Sequence, residues 1–357
     1  MGSQRGMYII IAIIAFGLLI AVHELGHFMA AKACGVKVNE FAIGMGPKLF
    51  SKKGKETVYS LRLLPIGGFC AMEGEDEDSG DERAFSVQNR FKKFIILFAG
   101  AFMNFLFGLL IIAIIFANVQ GYVTPEITEL APEFPNEGQA GLMEGDEIYS
   151  INGMRIYYIA DFSTAMSRFP SPVDVTVIRD GEKVTLENYE LVPREIMIDG
   201  QTEIKYGITF TSEEATFGGT VKYIFYNAWN FVRMVWYGLA DLVRGAVSVK
   251  DMSGVVGIVS VMIEVGTSAE SVKDGLLNVL YLAAFIAVNL AVMNLLPIPA
   301  LDGGRIFALV ITWAIEKVIG HKLDPKYEGY IHTIGLVLLM VLMVVVMFND
   351  VVRIFNG

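Results

Sequence analysis

The 357-residue chain is 54% hydrophobic and only 18% charged, with a mean hydropathy of +0.52, which excludes an ordinary soluble protein and points to several membrane spans plus one polar domain. A net charge of −10, without any basic cluster interleaved with aromatics, excludes nucleic acid as a partner. Two isolated cysteines, Cys34 and Cys70, imply neither a disulfide framework nor a metal motif.

In chain order, residues 1–6 read as an appended leader ahead of a native start at Met7. Residues 7–30 are the first span, and its apolar run continues straight into His23-Glu24-Leu25-Gly26-His27. A removed signal peptide is excluded, because no small-residue cleavage site follows. Two His at i and i+4 share one helix face, with Cβ atoms about 5–6 Å apart. Both imidazoles can then reach one Zn²⁺, with Glu24 placed to take a proton from a water on the metal. Ionisable groups in a span are costly, so the motif reads as functional.

Residues 31–93 form a loop carrying Lys48, Lys52, Lys53, Lys55, Arg62, Arg90, Lys92 and Lys93, which the positive-inside rule places in the cytoplasm. Within it, residues 48–63 read as a membrane-associated β-hairpin turning near Lys53-Gly54 and ended sharply by Pro65-Ile66-Gly67-Gly68. The hairpin is either a lid or an exposed edge that receives an extended substrate strand by β-augmentation. The acidic stretch 74–81 reads as a solvated turn.

Residues 94–119 are the second span, and 121–210 a small α+β domain. Alternating strands at 173–179 and 183–186, with turns at Asn152-Gly153 and Asp180-Gly181, support it. Residues 215–275 read as interfacial amphipathic helices, since the aromatic-rich stretch 220–245 is interrupted by Asn227, Asn230, Arg233 and Asp241. A fifth crossing is the competing reading. It would put the end of the third span, residues 276–304, on the side opposite His23 and His27. A basic helix or loop, 305–331, and the fourth span, 332–354, complete the chain. Four crossings place both termini and the polar domain outside the cytoplasm.

Two His and a water leave one zinc position for a third protein ligand. His321 and His332 sit in no distinctive setting. Asp302 follows Asn294-Leu-Leu-Pro297-Ile-Pro299-Ala-Leu at the cytoplasmic end of the third span, where the prolines break the helix. Irregular backbone at membrane depth needs protein or a wet cavity around it. The competing role for Asp302 is the N-cap of a helix beginning at Gly303. Asn289 and Asn294 lie in the same span, either as interhelical glue or as substrate-facing donors.

With those residues in view, the chain resembles the bacterial site-2 proteases, specifically their regulator-of-sigma-E protease branch. The resemblance rests on His23-Glu24-Leu25-Gly26-His27 and on Asn294 through Gly304. Supporting stretches are Gly44-Met45-Gly46-Pro47, Leu64-Pro-Ile-Gly-Gly-Phe69 and Phe98-Ala-Gly-Ala-Phe-Met-Asn104. One departure is visible: Ser253-Gly-Val-Val-Gly257 has Val255 where the branch carries Pro. The resemblance implies a polytopic α-helical membrane protein with four transmembrane helices, the cytoplasmic hairpin and one extracytoplasmic PDZ domain, in the bacterial inner membrane. It implies a zinc endopeptidase with His23, His27 and Asp302 as ligands, Glu24 as general base, and Asn289 and Asn294 positioning substrate. The substrate would be the transmembrane segment of a single-span protein within the lipid bilayer, such as a pre-trimmed anti-sigma factor. A PDZ scaffold with a degenerate metal motif is countered by the intact Glu24, and a metal transporter by the single cluster. Oligomeric state stays open.

Overall fold

The computed structural model describes residues 2–75, 79–117, 119–132, 134, 137–198, 201–247, 254–321 and 326–356. It divides into two compact units, residues 1–115 with 231–357, and residues 116–230.

The first unit begins with α1 (Gly2–Ala33), 32 residues without a break. At about 1.5 Å per residue it is roughly 48 Å long, more than a bilayer core requires. Then come β1 (Val38–Lys53), β2 (Val58–Met72) and α2 (Arg90–Phe116). The later elements are α5 (Val255–Thr267), α6 (Val272–Asn294), α7 (Asp302–Ile319) and α8 (Lys326–Asn356). Among the described residues, four helices are long and apolar enough to cross a membrane: 4–33, 90–116, 272–294 and 333–350. The span boundaries differ from the sequence reading by several residues. The largest difference is at the third, which ends at Asn294 because Pro297 and Pro299 cannot extend it.

Small residues let these helices meet at backbone distance, as membrane packing favours. A Cβ on Gly108 of α2 would lie 2.9 Å from Val288 and 3.3 Å from the Ala284 carbonyl of α6. Near the chain start, Gly266 of α5 and Gly275 of α6 both abut the Tyr8 ring of α1. Asp350, buried near the end of α8, accepts a 2.9 Å bond from Gly257 N–H in the first turn of α5. That bond satisfies a helix-end donor at the Val255-for-Pro departure; Ser253 lies outside the described residues.

The hairpin is larger than expected. Its turn falls as predicted, with Gly54 N–H bonded to the Thr57 carbonyl at 2.8 Å. Pro65 does not end it, however, and β2 continues to Met72. The break is absorbed as a slip in register between Met45↔Leu64 and Ile43↔Gly68, where Gly44, Gly46 and Gly67 take φ of 84°, 83° and 93°. Residues 38–43 pair with 68–72, and 40–43 also with 58–61, so the two long strands fold back on themselves. Their base packs into a core of Ala31, Val36, Val38, Cys70, Met72, Phe85, Ile96 and Leu97.

The second unit holds β3 (Gly121–Leu130), β4 (Glu147–Ile151), β5 (Met154–Arg155), α3 (Ile159–Arg168), β6 (Val173–Arg179) and β7 (Glu182–Tyr189). It adds the separate hairpin β8 (Arg194–Ile198) and β9 (Gln201–Lys205), then β10 (Ile208–Glu214). The main sheet has the order β10-β3-β4-β6-β7, with β5 on β4. First and last strands are thus paired, which closes an α+β unit. Asn152-Gly153 and Asp180-Gly181 both take positive φ, the backbone that two-residue hairpin turns demand. Asp146 is buried and bound by Arg179 Nε and a terminal nitrogen, each at 2.8 Å. The same guanidinium also bonds the Gly141 carbonyl, which fixes the preceding loop.

The expected interfacial segment is one continuous helix, α4 (Phe217–Val243), followed by the apolar but short α5. The start of α4 buries Tyr223, Asn227 and Asn230 in the second unit, where Asn227 donates to Tyr158 Oη at 2.9 Å. Phe231, one residue past the boundary between units, stacks edge-on against Tyr281 and Phe285 of α6.

A single carboxylate organises the hairpin. Burial alone would raise the Glu40 carboxyl, yet bonds from Ser60 (2.6 Å), Arg62 (2.8 Å) and Lys48 (3.0 Å) hold it at about 2. Its contribution to stability is therefore present above the ordinary glutamate range, about 4.3, and lost as pH falls towards the folded value. Amide protection factors of β1 and β2 should decline across that window, and Glu40→Gln should flatten the decline.

Candidate metal centre

The last three turns of α1 carry His23 and His27 on one face, ring centroids 4.7 Å apart. Their Nε2 atoms are 3.1 Å from each other. The third donor comes from the far end of the chain. After α6 stops at Asn294, the chain turns through Ala300, at φ 81°, and restarts as α7 at Asp302. That φ costs a non-glycine residue on the order of 1–2 kcal/mol and persists only where surrounding structure enforces it. Here the enforcement is steric: Gly303 and Gly304 sit against the backbone of Leu295, Leu296 and Ile298 with no room for a Cβ.

Asp302 Oδ2 lies 3.2 Å from His23 Nε2 and 3.3 Å from His27 Nε2. The N-cap position of α7 is Leu301, and the Asp302 carboxylate accepts no backbone hydrogen bond among the described residues. The capping alternative therefore lacks its bond. Oδ2 is instead a buried oxygen with no hydrogen-bond donor.

This donor set fits a zinc ion. Tetrahedral zinc with bonds near 2.0–2.2 Å requires ligand atoms about 3.3–3.5 Å apart. The observed separations of 3.1, 3.2 and 3.3 Å lie at or just below that edge length. His27 is also in the required tautomer. Its Nδ1 lies 2.8 Å from the Ile96 carbonyl of α2, which can only accept, so Nδ1 carries the proton and Nε2 offers its lone pair. No other grouping of three potential ligands occurs among the described residues.

Glu24, one residue round the helix from His23, faces the hairpin. A Cβ on Gly68 would be 3.4 Å from Glu24 Cγ, and the Cys70 backbone N–H bonds the carboxylate. No cation pairs with Glu24 among the described residues. Asn294 Nδ2 lies 3.4 Å from His23 Nδ1, which brings Asn294 into the site. Asn289 is half-buried and forms no hydrogen bond among the described residues. His321 is exposed and away from the cluster, and the side chain of His332 lies outside the described residues.

Three contributors escaped the sequence reading. The Ile96 carbonyl has no sequence signature. Gly100 of α2 touches both imidazoles, for a Cβ there would lie 2.4 Å from His27 Nε2 and 2.8 Å from His23 Cε1. Gly26, inside the His-rich motif, sits on the Ala99 carbonyl, where a Cβ would be 2.3 Å away. Their one signal was Ala99-Gly100-Ala101, three small residues among phenylalanines.

The sequence profile of peptidase family M50 matches residues 11–342. A Clostridium perfringens protein with a provisional zinc-metalloprotease name is 37% identical, over 97% of this chain and 99% of its own length. Zinc metalloprotease RasP of Geobacillus kaustophilus is 31% identical over 97% of this chain and 98% of its own. The regulator of sigma-W protease RasP of Bacillus subtilis is 29% identical over 97% and 99%.

Gly100→Ala should improve intrinsic helix propensity by about 1 kcal/mol yet weaken zinc binding, by roughly tenfold or more, because the methyl displaces both imidazoles. Zinc titration of the purified variant checks this; wild-type affinity would mean that the imidazoles tolerate the displacement.

Proposed function

Because the chain belongs to peptidase family M50, the site-2 protease family, we propose that His23, His27 and Asp302 hold its zinc while Glu24 serves as general base. The protein is a metalloprotease, a peptide-bond hydrolase of the membrane, and zinc is its expected cofactor. The observation that carries the residue assignment is the meeting of two imidazole nitrogens and one unbonded carboxylate oxygen at tetrahedral-edge distances. Bound there, zinc would act as a Lewis acid that brings the pKa of a water towards about 7 and polarises a carbonyl.

The chain's own residues supply the rest. Glu24 is free of any cationic partner among the described residues, so its carboxylate is available to take a proton and return it to the leaving amine. With His23 Nε2 turned to the metal, its Nδ1 carries a proton. That N–H needs an acceptor, so the Asn294 amide, whose near atom lies 3.4 Å away, presents its oxygen there. Asn294 thereby orients His23, and in the same place its nitrogen is free for a substrate carbonyl. Asn289 keeps the substrate-positioning role only as the weaker member of the pair.

The substrate is the transmembrane segment of a single-span membrane protein, an anti-sigma factor trimmed beforehand being the type, in regulated intramembrane proteolysis. The Bacillus relative, a regulator of sigma-W protease, supports that class. A substrate helix satisfies its own backbone, so it must unwind locally before attack. The hairpin segment 68–72 beside Glu24 suits an extended strand added by backbone pairing. The second unit acts as the single PDZ domain, on the extracytoplasmic side with both termini, in a bacterial inner membrane. The basic loop 31–93 supports that orientation.

Glu24→Gln should retain zinc and lose cleavage of a single-span model substrate by about 10²-fold or more, whereas Asp302→Asn should lose zinc and activity together. Metal analysis paired with a detergent-phase cleavage assay reads both. Near-normal turnover in Glu24→Gln, or full zinc content in Asp302→Asn, would overturn the assignment of that residue.

A further inference from the structure

The acidic stretch after β2 is held at its described ends, whereas residues 76–78, at the centre of the expected solvated turn, lie outside the described residues. Lys37 binds Glu73 (2.9 Å) and Asp81 (3.2 Å), Asn39 binds Glu73 (3.0 Å), and Glu75 forms an ion pair with Arg305. Backbone bonds from Phe85 N–H to Glu73 and from Ser86 N–H to Gly74 close the stretch on itself. Its other end is tied to α1, since Val36 N–H bonds the Ala31 carbonyl and Lys37 N–H the Arg83 carbonyl.

Arg305 is one helical turn after Asp302, on the same side of α7. α7 itself has few anchors. Among its residues only Gly303 and Gly304 are buried, and Ile306 packs on the Phe85 cluster. The Arg305 guanidinium also lies 5.5 Å from the Phe85 ring centroid, and its side chain is only 21% exposed, as is that of Glu75. A pair so shielded, stacked and locked at its acidic end differs from a surface ion pair, which contributes little.

We propose that the Arg305–Glu75 pair positions Asp302 at the metal site by fastening the start of α7 to residues 73–75 and, through the Glu73 N–H bond to the Lys37 carbonyl, to the end of α1 that carries His23 and His27. The pair touches neither metal nor substrate. It acts through Asp302, so the inference rests on the ligand role of that residue. Supporting groups of this kind typically alter metal affinity by about 10- to 100-fold.

The test measures chelator-driven zinc release from the full-length, zinc-loaded protein in detergent, alongside thermal unfolding of the metal-free protein. Variants are Arg305→Glu, Glu75→Arg and the double reversal, with Asp302→Asn as reference. Each single reversal should accelerate zinc release by about tenfold or more and leave metal-free unfolding unchanged. The double reversal should recover most of the loss. Wild-type release in both singles overturns the proposal. So does an accelerated release that the double reversal fails to recover, or one matched by an equal drop in metal-free stability. Wild-type release in Asp302→Asn would instead remove the ligand assignment, which keeps the two failures distinct.

Discussion

Three donor atoms must converge within about 3.3 Å of one another at the end of a membrane helix, and most of the first unit follows from that requirement. Two of them come free with helical spacing on α1. The third belongs to a residue almost at the other end of the chain, and it reaches the site only if α6 stops, turns and restarts within seven residues. Polar groups at such depth are tolerated when protein surrounds them, so the surrounding elements must close in to backbone distance.

That closing-in explains the distribution of small residues. Gly26 allows α2 to rest on α1 at the Ala99 carbonyl, which brings Ile96 to His27 and leaves Gly100 flat against both imidazoles. Gly303 and Gly304 perform the same service for the turn before α7, where Ala300 is held at positive φ. Bulk at any of these positions would leave the local helix intact and move a donor atom. The cost of the arrangement is concentrated in a strained residue and an unbonded carboxylate oxygen, both of which are expected where chemistry rather than stability dictates geometry.

The second unit obeys ordinary globular rules. Its strands alternate buried and exposed residues, its tight turns use Asn-Gly and Asp-Gly, and its buried carboxylates Asp146 and Asp161 are met by Arg179 and by the Tyr157 N–H. Among its described residues no carboxylate oxygen is orphaned as Asp302 Oδ2 is. The contrast separates a unit built to present a stable surface from one built around a binding centre.

Much of this was legible in the residues alone. Apolar runs of sufficient length specify spans whatever they pack against, and His23, Glu24 and His27 share a helix whose periodicity fixes their relation, so both were available without coordinates. Turns at positions 152–153, 180–181 and 53–54 were legible for the same reason: they depend on local backbone preferences. Pro65 misled because a proline ends a strand only when the register cannot slip, and whether it can is settled by the partner strand. Glu73, Glu75 and Asp81 misled because charged residues look solvated until their partners, Lys37 and Arg305, are seen beside them. The meeting of Asp302 with the histidines, the tautomer set by Ile96 and the flat face of Gly100 were decided only by tertiary structure. Each depends on which helices touch, and no local pattern encodes a contact between residues so far apart in the chain.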